Sequence, residues 1–437
     1  MRLGSAFNRL WAASVASNLA DGVGRTAVPL IATTLTRDPL LISAVTAIAF
    51  VPWLLFGLPA GMLIDRVDRR VAMAIANGLR VLMALVVALA ITTGTLTIWL
   101  LYGCILIWGI GETVFDTATN AVLPATVTYS AQDNSQLEKA NGRIQGAQLV
   151  VDTFIGTPIS GILFAAAIAL PVWSTAGGFA VSAALVLLLP ASVARAAGSE
   201  SPAKHHGASR LLHDARDSLS FLAHHRLLRG LLILTTMTGG MLAFGQASEF
   251  LFFLDTMAVK PALLGFVMAA IGAGALAGAL TASHLVARLG RGTVMLGTTL
   301  LAGVTLGLVG ISPNLPLAIA TYALSAFCVS VWNVPWSALR QQLIPGVMLG
   351  RTIGFMRSVT WGAIPLATIA GGFAARVDLR LPFLIGGAGV VIAVLGATRL
   401  LLSIDAAGTV GPVGAGKQDS GELSPRRTDR AAARPGQ

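Results

Sequence analysis

The chain has 437 residues, 55% of them hydrophobic and only 11% charged, with a formal charge of +11. An ordinary soluble domain carries about a quarter charged residues, so this composition excludes one and points to lipid. No basic stripe with interleaved aromatics occurs, which excludes a nucleic-acid interface.

Twelve apolar spans follow in chain order: roughly 10–35, 40–63, 71–93, 97–125, 138–168, 171–193, 229–254, 262–287, 292–312, 315–339, 349–375 and 381–403. A hydrocarbon core ~30 Å thick needs about 20 helical residues. Barrel strands would show as alternating segments of about ten. The predicted fold is therefore all-α: twelve transmembrane helices as two pseudo-symmetric six-helix bundles, 1–193 and 229–403. A linker, 194–228, joins them, and 404–437 forms a Gly-, Pro-, Ser- and Arg-rich tail read as disordered. The first span is broken by Asp21 and Arg25 and runs straight into a second, unlike a cleavable signal peptide.

Basic residues orient the chain. With the N-terminus in the cytoplasm, the outer side receives only Arg37, Lys260, Arg376 and Arg380; the other loops and both termini hold nearly all the rest. A multi-pass protein of the plasma or inner membrane, both termini cytoplasmic, is expected. The linker holds His205, His206, His213, His224 and His225, but their spacing matches no ligand set, so a solvated linker is expected and no metal. Cys104 and Cys328 lie inside spans and read as small buried hydrophobes.

The halves echo each other. Gly57 and Gly61 match Gly274 and Gly278, Arg70 matches Arg291, Leu123-Pro124 matches Ile344-Pro345, and Gly142-Arg143 matches Gly350-Arg351, in order and at a nearly constant offset. Parallel repetition of a six-helix unit is a transporter architecture, with cargo bound near the midplane between halves.

Between spans 2 and 3 stands GMLIDRVDRR, Gly61 to Arg70. It resembles the signature turn of the major facilitator superfamily, with the usual glycine replaced by Asp68. The DRxDRR variant, with a first helix opening FNRLW, is similar to the branch of macrolide-efflux and siderophore-export proteins. The resemblance covers essentially 5–403. It implies a gating motif of Gly61, Asp65, Arg66, Arg69 and Arg70, in which Asp65 and Arg66 latch the cytoplasmic side when the site faces outward. Gly156-Thr157-Pro158-Ile159-Ser160-Gly161 in span 5 resembles a degenerate form of the antiporters' glycine-proline motif, so Gly156, Pro158 and Gly161 are expected to let the helix bend. Where the family's arginine motif of span 4 should stand, the sequence reads LIWGIGETVFD, and the usual proton-transfer assignment does not carry over.

Ionisable groups inside a membrane are costly and by default functional. Asp21 lies about eleven residues into span 1, hence ~16 Å deep. Arg25, one turn away, is the expected partner. Glu112 and Asp116 share a face of span 4, and one of two such like charges is expected to hold a proton. Asp152 stands mid-depth in span 5. Asp21, Glu112, Asp116 and Asp152 are the proton-coupling candidates, with Arg25, Arg80 and Arg357 as charge partners. Glu249, nearer the outer end of span 7, reads as solvated. Of the aromatics inside spans, Trp108, Phe115, Trp332 and Trp336 are expected near the cavity.

No Walker sequence occurs, so ATP is not the energy source within this chain, and no cofactor is expected. Gly109-Ile110-Gly111-Glu112 falls short of an intramembrane protease motif, because glutamate replaces aspartate. The expected function is secondary active efflux of amphipathic small molecules, coupled to protons, by a monomer in the bilayer. Export of one metabolite such as a siderophore, and a transporter-like receptor that moves nothing, are the alternatives.

Overall fold

The computed structural model describes residues 4–64, 67–127, 135–190, 217, 219–345 and 348–408. These residues are helical almost throughout. In the N-terminal half lie α1 (Ser5–Leu35), α2 (Pro39–Ile64), α3 (Arg69–Thr92), α4 (Ile98–Thr126), α5 (Ser135–Leu149), α6 (Thr157–Ala166) and α7 (Leu170–Leu187). The C-terminal half holds α8 (Arg226–Gln246), α9 (Pro261–Leu289), α10 (Arg291–Ile311), α11 (Leu315–Leu343), α12 (Leu349–Ala375), α13 (Leu381–Gly396) and α14 (Thr398–Gly408). Ten of the described spans are long and apolar enough to cross a membrane, and α13 with α14, bent by 60°, make an eleventh. The twelfth is α1, whose Arg9, Asn18, Asp21 and Arg25 lower its apolarity. It is packed against α6 and α7, and Asn18 is buried.

Two predicted spans are interrupted. Span 5 is α5 and α6 joined by a π-helical turn, Val150–Gly156, that carries Asp152. Glycines force this geometry. A Cβ at Gly156 would lie 2.8 Å from the Cα of Gly22, and one at Gly22 would lie 2.8 Å from the Cα of Asp152. Only glycines allow the two backbones to approach so closely. Span 7 breaks after α8; Glu249–Leu251 forms one turn and Phe252–Thr256 a second π-helical turn. Such turns recur at functional sites.

We call the end where α1 begins basal and the other distal. Within the N-terminal half, α1 packs on α7, α7 on α3, α3 on α4 and α4 on α2. The C-terminal half pairs α9 with α11, α10 with α11 and α13, and α8 with α12 and α13. The halves meet chiefly through α2 on α12 and α6 on α9. At the distal seam, a Cβ on Gly161 would lie 2.9 Å from the carbonyl oxygen of Ala262, and one on Gly372 would lie 3.0 Å from the Cα of Leu40.

Candidate functional site

A cavity of about 550 Å³ lies between the halves and continues basally into a compartment of about 730 Å³. Asn120, Gln145 and Ser358 line the basal compartment. Each is within the size of small-molecule sites. Asp21, Arg25, Trp108, Glu112, Asp116, Asp152 and Arg357 all line the inner cavity.

The expected Asp21–Arg25 pair does not form. Asp21 Oδ1 instead accepts from Arg80 Nη2, and the indole Nε1 of Trp108 donates to the same oxygen at 3.4 Å. Arg80 is completely buried. Its Nη1 donates to Ser17 Oγ at 2.9 Å and Asn77 Oδ1 at 3.1 Å, and its guanidinium lies 3.8 Å over the Phe179 ring. Gly111 makes room for it, since a Cβ there would meet Arg80 Cγ at 2.7 Å. Arg25 turns to Asp152, with Nη1 2.9 Å from Oδ2, while the buried Oδ1 of Asp152 makes no hydrogen bond among the described residues. Partners across helices replace the one a turn away because three packed helices bring fully buried donors to Asp21, and burial strengthens such pairs.

Breaking a buried pair strands a charge at a cost of about 3–5 kcal/mol, whereas replacing both partners by apolar or neutral groups costs far less. Arg80→Leu is therefore expected to lower the unfolding temperature of the detergent-purified protein sharply. Adding Asp21→Asn should restore most of the loss, and a double variant no more stable than the single one would refute this account.

Glu112 and Asp116 differ from the other acids. Among the described residues neither makes an ion pair or a side-chain hydrogen bond, although both face the cavity. Opposite them is an aromatic corner built by both halves. Phe50 and Trp53 come from α2 and Trp361 from α12, with ring centroids 6.1 Å (Phe50–Trp361) and 5.6 Å (Trp53–Trp361) apart, edge to face. The Arg357 guanidinium sits 3.9 Å over Trp361 and 4.9 Å over Trp53.

Three predicted aromatics lie elsewhere. Phe115 is buried among Phe7, Met73 and Val122 at the basal end of the N-terminal half. Trp332 and Trp336 are buried with Leu228, Met295 and Leu339 in the C-terminal half. Each faces its own bundle because α4 and α11 are apolar around most of their circumference, and hydropathy does not say which face meets the cavity. Phe50, Trp53, Trp361, Phe250 and Glu249 line the cavity without having been selected. The one legible signal was Arg357 and Trp361 at helical i, i+4 spacing. Glu249 is not a solvated side chain: its Oε2 accepts from the Tyr322 hydroxyl.

Of the gating motif, Asp65 and Arg66 lie outside the described residues. Gly61 falls in the last turns of α2. Asp68 caps α3, its Oδ1 accepting from the backbone N–H groups of Arg70 (2.9 Å) and Val71 (3.3 Å). Arg69 donates to Ala121 O at 2.8 Å, and Arg70 to Leu189 O at 3.3 Å, so both bind backbone carbonyls near the basal ends of α4 and α7. In the linker, His205, His206 and His213 also lie outside the described residues. His225 caps α8 through Nδ1, which accepts from Leu228 N–H at 3.3 Å. Among the described residues no group of three metal-binding side chains occurs.

On the distal side two ion pairs join the halves. Arg376 Nε donates to Asp38 Oδ1 at 2.8 Å, with Nη2 on Oδ2, and Arg37 Nη1 lies 3.0 Å from Asp255 Oδ1. The Arg376 guanidinium holds the Asp38 carboxyl below its ordinary range. A depressed carboxylate favours the paired form above its unpaired value, about 3.9, and loses that contribution only as pH falls through the lower, paired value. Distal closure, read as a spin-label distance across the seam, should therefore stay constant between about pH 8 and pH 5. A steep opening within that range would contradict this reading.

Helices that cross a membrane in two repeated bundles, with a cavity of ionisable and aromatic groups between them, define a major facilitator-type transporter. The chain belongs to the transmembrane secretion effector family, whose model matches residues 3–411. It is 27% identical over 380 residues to the multidrug efflux pump Tap of Mycolicibacterium fortuitum, covering 85% of this chain and 90% of the pump. It is 28% identical over 353 residues to the enterobactin exporter EntS of Escherichia coli, covering 79% of each. Among solved structures it is similar to the nucleoside transporter NupG (D323A mutant), with a TM-score of 0.73, 15% identity and coverage of 91% and 100%. A bacterial homologue of the iron transporter ferroportin, in its inward-facing state, gives a TM-score of 0.69 at 16% identity, covering 93% and 100%. These two share the fold. The protein is a membrane-embedded efflux transporter of small molecules.

Proposed function

We propose that the protein exports amphipathic cations in exchange for protons, by alternating access. The observation that carries this reading is the pair Glu112 and Asp116: two cavity carboxylates, one helical turn apart, neither in an ion pair among the described residues. A cationic cargo or a proton would neutralise the same site, and competition between them is what an antiporter needs. Phe50, Trp53, Trp361 and Trp108 supply flat apolar surface for the cargo body. Asp21, matched to buried Arg80, and Asp152, matched to Arg25, hold helices in place in this reading.

The positive-inside rule assigns the basal side to the cytoplasm. With that assignment the cavity opens to the cytoplasm, and the distal ion pairs and glycine contacts close the outer side. The exposed distal pairs are weak, as suits contacts remade in every cycle. The similarity to Tap supports a broad, drug-like cargo.

The test is ethidium uptake into everted vesicles energised by a proton gradient. Uptake that a protonophore abolishes is expected; gradient-independent movement, or none, would overturn the reading. Arg357 over two indoles favours one second reading, an anionic aromatic cargo, in line with similarity to an enterobactin exporter. In that case the same vesicles would take up enterobactin and leave ethidium outside.

A further inference from the structure

We infer that Glu249 is the cargo-binding carboxylate of the C-terminal half, taking the cationic end of the cargo at the distal end of the cavity. The inference rests on the reading of the protein as a cation exporter. Glu249 lines the inner cavity beside Phe250 but is absent from the basal compartment. It stands where α8 has ended and one helical turn precedes the π-helical turn Phe252–Thr256.

Its support is aromatic rather than basic. The Tyr322 hydroxyl donates to Oε2, and Tyr322 itself is stacked on Phe253, with centroids 6.3 Å apart, and set edge-on to Phe383 at 6.0 Å. Among the described residues Glu249 makes no ion pair. A carboxylate oriented by a single hydroxyl and facing the cavity keeps the capacity to accept a cation, whereas Asp21 has spent that capacity on Arg80.

The two halves then each present acid to the cavity, Glu112 and Asp116 from α4 and Glu249 from beyond α8. Rocking of the halves would pass a cation from the basal acids to the distal one. The same π-helical turn carries Asp255, the partner of Arg37 in the distal ion pair. Cargo settling on Glu249 therefore bears on the segment that must move when the distal side opens.

The experiment measures binding to the full-length protein in nanodiscs. The probes are ethidium, a permanently cationic planar aromatic, and N-phenyl-1-naphthylamine, an uncharged aromatic. Glu249→Gln should weaken ethidium binding about tenfold, as loss of one ionic contact requires, and leave the uncharged probe unaffected. Glu249→Asp should recover most of the ethidium affinity, and Tyr322→Phe, which keeps the carboxylate, should stay within about threefold of native. Glu249→Gln binding ethidium like the native protein would overturn the inference, as would equal loss of both probes, which marks a purely structural residue. A native protein that binds neither probe would overturn the cation-export reading itself, and this inference with it.

Discussion

Glu112→Gln combined with Asp116→Asn is expected to abolish proton-driven export, by a factor on the order of a hundred, without impairing folding. The two carboxylates are i, i+4 neighbours on α4, about 6 Å apart by helix geometry. At an effective dielectric constant of about 20, two charges at that separation repel by about 3 kcal/mol. That is roughly a hundredfold in occupancy when a cation or proton arrives. Neither carboxylate makes an ion pair among the described residues: Arg25 is paired with Asp152, Arg80 with Asp21, and Arg357 lies over Trp361. Amides are close in shape, remain neutral throughout, and so can exchange neither proton nor cation. Each single variant should cost about tenfold, because the remaining acid still titrates. The measurement is the initial rate of ethidium uptake into energised everted vesicles, normalised to monodisperse protein. A double variant with native gradient dependence would remove both acids from the mechanism. Asp21→Asn makes the control: it strands buried Arg80, so it should lower the yield of folded protein rather than the coupling of what remains.

Gly265→Ala is expected to hold the distal side open. A methyl at Gly265 would lie 3.0 Å from the carbonyl carbon of Thr157 and nearer still to its oxygen. Thr157 opens α6, with Pro158 next to it, so this is backbone that cannot turn aside. The helix α9 must then retreat from α6, and that seam is one of the two largest between the halves. The distal ion pairs are too exposed to draw it back. Spin labels at Thr95 and Asn314, both on exposed distal loops, would read the change in a background of Cys104→Ser and Cys328→Ser. The expected result is a shift of at least about tenfold in the closed-to-open ratio, with export falling because the cavity no longer returns to the basal-facing state. An unchanged distance distribution would show that the seam yields without moving the halves.

Membrane burial made the helices legible. Apolar runs of more than twenty residues mark spans wherever they stand, and the short charged loops give topology. The gating turn was visible for the same reason, as a dense charged strip between two such runs, though Asp65 and Arg66 lie outside the described residues. Asp68 was readable only as a departure from a family pattern; its use as the cap of α3 needed the backbone N–H groups of Arg70 and Val71 in place.

Pairing was hidden. From sequence, Arg25 stands one turn from Asp21 and is the natural partner, yet Asp152 claims it across α1 and the π-helical turn. The aromatics behaved likewise. Trp332 and Trp361 sit in equally apolar surroundings on their helices, and only packing buries the first in its own bundle and turns the second to the cavity. Glu249 looked solvated because its place near the end of a span was visible and its tyrosine, 73 residues onward, was not.

The sequence alone determined a polytopic helical membrane protein made of two repeats, with acids inside its spans, because transfer from water to lipid is a property each residue carries with it. The tertiary structure decided which acids are neutralised by arginine, which aromatics form the cavity wall, and where glycine lets the halves close. Those depend on distances between residues far apart in the chain, which hydropathy does not encode.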